Sequence, residues 1–352
     1  MTELDSTSAQ TTRPAHLTPA GQPNHVRDLA GRLLDAYQVE GGGAHLAGCT
    51  LDEIPVVRLT WATAEQELEG AYVIFGQANS DGRMVDAELF EKLHLADVVP
   101  AERPVSVSPS EVDRLVEAAI RCAGGSVDDK RGEPDSIAVI WCKYARVKVQ
   151  LSIGNATADV TFAGWARTLE PQPYACPITE TKSFSVAATT DGRIVPADQL
   201  EVCQQSGRKV PRCELVQCAA TGKLVAQDLT ARCPVSGKVV VEAELVVCPT
   251  CGQKVSPHAL SGNRCAACSR TSTVKTTDPR MAKIIARYPR LANWTWLRLA
   301  ETDEVFIVIA AGLLDQRLLV VDKTTLDVRR FARGSRLSPT WTDEPEENLE
   351  SL

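Results

Sequence analysis

The residues best suited to chemistry in this chain are four cysteines spaced Cys248-x2-Cys251-x13-Cys265-x2-Cys268. Two Cys-x2-Cys pairs at that separation offer four thiolates to one tetrahedral ion, the donor set and spacing of a structural zinc site. With all four positions filled by protein, a zinc ion keeps no open coordination site, so the expected role is structural and not catalytic. In Cys248-Pro249-Thr250-Cys251-Gly252 the glycine lets backbone amides turn toward the sulfurs, as in a zinc knuckle. His258, inside the loop between the pairs, can substitute for one thiolate; beside Pro257 it also reads as a surface residue.

The first cysteine pair closes a series. At a period of fifteen residues the chain repeats a small residue or Cys, two spacers, an Asp/Ser/Thr/Cys, then Gly and a polar or basic residue. The copies run from Ala188 to Arg193, Cys203 to Arg208, Cys218 to Lys223, Cys233 to Lys238 and Cys248 to Gln253. The polar residue and glycine predict a turn, and Val195, Val210, Val225, Val240 and Val255 return inward at one phase. Fifteen residues cannot close a core alone, so stacking or metal must stabilise the array. The upper copies carry one cysteine and put Ser206, Thr221 or Ser236 where the second would stand. Cys176, Cys203, Cys213, Cys218 and Cys233 can therefore pool ligands between units, act as redox thiols, or pack as small apolar groups. Arg193, Arg208, Lys223 and Lys238 follow the turn glycine in four units. A row of such cations can track a phosphate backbone, although exposed turns favour solvated residues in any case.

Composition narrows the classes. The chain has 352 residues, a net charge of -7 and 44% hydrophobic content, enough for two or three packed domains but no general nucleic-acid signature. No export signal and no membrane-length apolar run are present, which predicts a cytoplasmic protein with no membrane partner. Nine of the twelve cysteines fall between Cys176 and Cys268, an odd number that favours metal and reduced thiols over disulfides. The five histidines form no H-E-x-x-H pair and no G-x-S-x-G elbow occurs, so no enzyme and no small-molecule substrate are expected.

The elements that must hold these residues predict a multidomain α+β chain. Residues 1–25, rich in Ser, Thr, Pro and Gln, read as a disordered tail. A small α+β domain with a β-hairpin extension, the N-terminal α/β part of the fold, spans 26–170: a helix through Leu29, Leu33 and Leu34, strands at 56–61 and 71–76, a helix opened by Ser108-Pro109, and a hairpin over 137–164. Gly41-Gly42-Gly43 ends the first helix and has no P-loop Lys-Ser/Thr after it. The hairpin repeats occupy 171–277 and end in a zinc ribbon at 248–268. A helix from Asp278-Pro279 and an antiparallel meander fill 278–340, and 341–352 read as an acidic tail.

The repeat text, clearest in Cys218 to Val225 and Cys233 to Val240, resembles cysteine-rich repeats of planctomycete proteins, some of them tails of Swi/Snf-like helicases. Arg83 to Leu89 and Ser110 to Glu117 are similar to the region beyond the motor in RapA-like helicases. The chain lacks the G-x4-G-K-[S/T] and Asp-Glu-x-His motifs of the motor itself. The resemblance therefore implies an accessory module near transcription or DNA handling. The expected function is a non-enzymatic zinc-binding adaptor that contacts nucleic acid or a nucleic-acid machine. A protein-interaction scaffold that touches no nucleic acid, and a thiol redox sensor, are the alternatives.

Overall fold

The computed structural model describes residues 13–62, 68–76, 81–102, 107–124, 133–338 and 340–351, in a mixed α+β fold. The chain divides into two compact units, Met1–Gln199 and Leu200–Leu352.

The first unit is built on a seven-stranded sheet. Its strands are β1 (Ala15–Pro19), β3 (Gly43–Ala62), β4 (Leu68–Ile74), β5 (Arg83–Met84), β6 (Val98–Pro100), β7 (Ser136–Ile153) and β8 (Ala156–Trp165), while β2 (Gln38–Val39) lies outside it. The order is β5-β4-β3-β7-β1-β6, with β8 on the other half of β7. All pairs are antiparallel except β1 with β7, so this unit is α+β, as the domain reading of 26–170 expects, and not a parallel α/β sheet. Long β3 and β7 pair along nearly their whole length, broken by a bulge at Leu46/Gly48. Helices α1 (Val26–Leu34), α2 (Ala87–Leu93) and α3 (Pro109–Ala123) cover the sheet. Val57, Leu59, Val139 and Trp141 pack with Val112 and Ala119 of α3, whereas Val56, Ile140 and Cys142 pack with Leu93. The alternation is the period-2 pattern of strands buried on both faces. Helix α3 starts where the sequence places it: the Ser108 hydroxyl accepts from the Glu111 amide, and Pro109 takes the position that needs no donor.

Two expectations fail here. Of the supposed tail, residues 1–12 lie outside the described residues, but Ala15–Pro19 form β1 between β6 and β7. Gln22 fastens this segment, its amide donating to the Trp141 carbonyl and accepting from the Lys143 amide. Backbone pairing overrides the polar composition. The triple glycine does not end the first helix, since α1 already stops at Leu34; a Cβ on Gly42 would sit 1.9 Å from the Ser152 carbonyl oxygen, so close passage of two backbones requires the residue.

Also within the first unit, β9 (Tyr174–Ala175) pairs β10 (Lys182–Ser183) and β11 (Ser185–Ala188) pairs β12 (Ile194–Pro196). The second unit begins with four more hairpins and a short fifth. They are β13 (Leu200–Val202) with β14 (Lys209–Pro211), β15 (Leu215–Gln217) with β16 (Leu224–Ala226), β17 (Thr230–Arg232) with β18 (Val239–Val241), β19 (Val246–Val247) with β20 (Lys254–Val255), and β21 (Leu260–Ser261) with β22 (Arg264–Cys265). One turn of 3-10 helix joins each to the next, and the four-residue α4 (Ala266–Ser269) follows the last.

The meander is the antiparallel sheet β23 (Ser272–Val274), β24 (Trp296–Glu301), β25 (Val305–Ala311), β26 (Asp315–Asp322), β27 (Val328–Ser335) and β28 (Trp341–Asp343), in chain order, with α5 (Pro279–Arg287) on one face. Every residue of β25 is buried because each face is covered: Val305, Ile307 and Ile309 meet the hairpins, while Phe306, Val308 and Ala310 meet Met281 and Ile284 of α5. The hairpins and the meander, read from sequence as separate domains, thus share one core. The acidic end is also structured, since Trp341–Asp343 pair as β28 and Leu349 packs on the α5 side.

Candidate metal centre

The hairpins that turn at Cys203, Cys218, Cys233 and Cys248 make the same local turn. In the second copy the Cys203 amide donates to the Arg208 carbonyl and the Gly207 amide to the Cys203 carbonyl, each at 2.8 Å. That closure needs a left-handed residue, and Gly207, Gly222, Gly237 and Gly252 all have φ between 68° and 75°. Two features escaped the sequence reading. Cys176-Pro177-Ile178-Thr179-Glu180-Thr181 makes the same turn, with Glu180 in the glycine position at φ 55°. Its non-glycine turn and irregular spacing hid it, although Cys-Pro-x-Thr parallels Cys233-Pro234-Val235-Ser236. In the copy assigned to Ala188, it is Thr189 whose amide meets the Arg193 carbonyl, so that loop is one residue shorter.

A second regularity links successive hairpins. The Ala226 amide donates to the Cys203 sulfur at 3.2 Å, Val241 to Cys218 at 3.4 Å, Ser256 to Cys233 at 3.2 Å and Cys265 to Cys248 at 3.3 Å. Each donor immediately precedes a short helical turn. The junctions therefore align position by position: Cys203, Ser206, Ala226, Leu229; Cys218, Thr221, Val241, Glu244; Cys233, Ser236, Ser256, Ala259; and Cys248, Cys251, Cys265, Cys268. All four share one frame, and the last carries sulfur at every position.

In that last junction the four sulfurs lie within 4.8 Å of one another, with Cys248 to Cys268 at 4.0 Å and Cys251 to Cys265 at 3.8 Å. A zinc–sulfur bond of about 2.3 Å in a tetrahedron gives a sulfur–sulfur edge of about 3.8 Å, so the donor set fits a metal ion of that size. All four residues are at most 2% exposed. Thiol hydrogen bonds from Cys251, Cys265 and Cys268 hold Cys248 far below the ordinary thiol range, and neighbouring sulfur pushes Cys268 far up. The knuckle is held from outside by Arg330 on β27, whose guanidinium donates to the Pro249 and Thr250 carbonyls at 2.7 and 2.8 Å and to Asp343 at 2.7 Å. The sequence carries no signal for that contact, which spans about eighty residues.

The remaining candidates do not converge. Among the described residues, no other group of three or more His, Cys, Asp or Glu side chains is gathered for a metal. Cys203, Cys218 and Cys233 sit one to a junction, and each is wholly buried. Burial raises the Cys203 thiol, but the Ser206 hydroxyl and the Ala226, Ser206 and Gln205 amides together outweigh it and bring it down to about 7. Against the same opposing burial, Cys218 and Cys233 are lowered by the equivalent Thr221 and Ser236 hydroxyls and neighbouring amides. Cys176 belongs to the first unit, and Cys213 lies exposed on a 3-10 turn. His258 is not gathered with the sulfurs; its ring Nε2 lies 3.1 Å from the Ala220 carbonyl. The cation row is thinner than the sequence suggests. Arg193 pairs with Asp191 in the first unit, and the Arg208 Nη2 donates to both carboxylate oxygens of Asp228 at 2.7 and 2.8 Å. Lys223 and Lys238 remain exposed. In the fifth copy Gln253 is 8% exposed at the edge of an open cleft of about 880 Å³.

No protein family, curated protein or solved structure matches this chain.

Proposed function

We propose that the chain is a non-enzymatic adaptor whose stacked hairpins and meander form a protein-interaction scaffold, stapled by one structural zinc at Cys248, Cys251, Cys265 and Cys268. The observation that carries this reading is the closed donor set: four buried sulfurs at tetrahedral spacing and no other ligand among them. Such a site fixes two chain segments and offers substrate no open position. A partner within a nucleic-acid-handling machine agrees with the resemblance of the repeats to helicase tails.

Direct contact with nucleic acid is the second reading. It rests on exposed Lys223 and Lys238, because the acids beside Arg193 and Arg208 already offset those charges. The redox reading has less behind it: oxidant reaches Cys203, Cys218 or Cys233 only if the stack opens, and the exposed Cys213 stands apart from them on its 3-10 turn.

Fluorescence anisotropy with labelled single- and double-stranded oligonucleotides, run across a salt series, separates the first two. The scaffold reading expects no salt-sensitive binding. A log–log salt slope that falls by about 1 for each of Lys223→Ala and Lys238→Ala would replace it with nucleic-acid contact.

A further inference from the structure

We propose that the turn end of the meander is a docking surface for an anionic lipid bilayer, an inference independent of the adaptor reading. Leu313 and Leu314 form the tip of the β25–β26 hairpin and are 84% and 68% exposed, and Leu337, just past β27, is 86% exposed. A hairpin tip ordinarily carries Gly, Asn, Asp or Ser, so consecutive exposed leucines there are not dictated by the turn.

The tips are held as one platform. The Arg336 amide and the Ser335 hydroxyl donate to the Leu314 carbonyl at 3.1 and 3.4 Å, and the Leu337 amide donates to the Ser335 hydroxyl at 3.2 Å. The Arg336 guanidinium donates to the Gly312 carbonyl at 3.3 Å and lies 4.8 Å above the ring of Trp296, which is itself partly exposed.

Charge selects the occupant. The chain is net negative at -7, yet the exposed cations at this end are Arg333 and Arg336, while the largely covered Arg317 lies 4.0 Å from Asp315 and offsets its charge. A second copy seated face to face would set arginines against arginines. A phosphate-bearing polymer would leave the leucines in water.

A bilayer with anionic headgroups matches both features in their observed order. The exposed Arg333, opposite Arg317 in the sheet register, lies level with the third residue behind Leu314, about 10 Å at the rise of a strand. Leucines that enter the acyl boundary therefore leave the arginines at headgroup level. An indole half-exposed beside them fits the interfacial zone. The attachment is peripheral, and among the described residues no helix is long and apolar enough to cross a membrane.

The test is co-sedimentation of the full chain with vesicles of phosphatidylcholine mixed with phosphatidylglycerol, against vesicles of phosphatidylcholine alone. Wild type should pellet with the mixed vesicles only. Leu313→Asp/Leu314→Asp should lower partition at least about tenfold, and Arg333→Gln/Arg336→Gln by several-fold in a salt-dependent way. Leu337→Asp, on a separate turn, should also weaken partition, and thermal melting of each variant checks its fold. Wild type that stays in the supernatant, partition equal for both vesicle types, or leucine variants that bind as wild type each overturn the proposal.

Discussion

Cys268→Ser, or a strong chelator, should take the metal from the second unit and lower its melting temperature far more than that of the first. All four sulfurs belong to the core shared by the hairpins and the meander, so demetallation leaves thiols in mutual contact where water cannot reach. A ligand bound only by the folded state, at about a thousand times its Kd, contributes about 4 kcal/mol. In a unit of about 150 residues each kcal/mol is worth about 2–4 °C, so the expected loss is about 8–16 °C. The assay is metal analysis of protein purified without added zinc, with calorimetry before and after chelation; the first unit's transition is the internal reference. About one zinc per chain should be present, and both Cys251→Ser and Cys268→Ser should lose it. Protein that carries no metal and melts unchanged in chelator would refute the argument, as would serine variants that keep a full equivalent.

The aligned junctions predict that Ser236→Cys, Ser256→Cys and Ala259→Cys together, beside native Cys233, create a second four-sulfur site, seen as a second metal equivalent and a cobalt–thiolate absorption band of doubled intensity. Arg330→Ala removes the hydrogen bonds to the Pro249 and Thr250 carbonyls; it should cost about 2–4 kcal/mol in denaturant titration and speed metal transfer to a chelator. Asp278 caps α5, and hydrogen bonds from the Arg280 side chain and amide draw its carboxyl down from 3.8 to about 2. A depressed carboxyl stabilises the fold above its unfolded value and stops doing so as pH falls through about 2. NMR titration should place the Asp278 midpoint there, and Asp278→Asn should remove this contribution to acid resistance.

What the sequence made legible was local. Period-2 alternation and turn residues located β3, β7, β8 and the meander, and Ser108 and Asp278 marked helix starts because capping is settled within three residues. The four gathered cysteines were legible for the same reason, since the spacing within a knuckle is fixed by one turn. The illegible features depend on distant chain. Residues 15–19 look unable to fold until β6 and β7 offer them backbone partners, and Arg330 is assigned only once β27 lies beside the knuckle. The cation row was legible only in part: repeat register put Arg208, Lys223 and Lys238 at equivalent turn positions, but the acid that pairs with Arg208 is contributed by Asp228, twenty residues on.

The shared frame also accounts for why sulfur is complete at one junction only. At the upper three, the cysteine and the amide it accepts are 23 residues apart, and hairpins of Val and Leu side chains fill the space between. There a lone thiol serves as a small buried group whose sulfur still accepts the neighbouring amide, and Ala226, Val241 or Ser256 stands where a ligand would be. At the last junction the separation falls to 17, and β21 and β22 hold two residues each. That hairpin brings little apolar surface and has no successor to stack upon, the usual weakness of a terminal repeat. On the proposed zinc reading, metal ligation supplies there what packing supplies above, so removal of the ion should fray the array from β21–β22 upward and leave the Cys203 and Cys218 junctions closed longest.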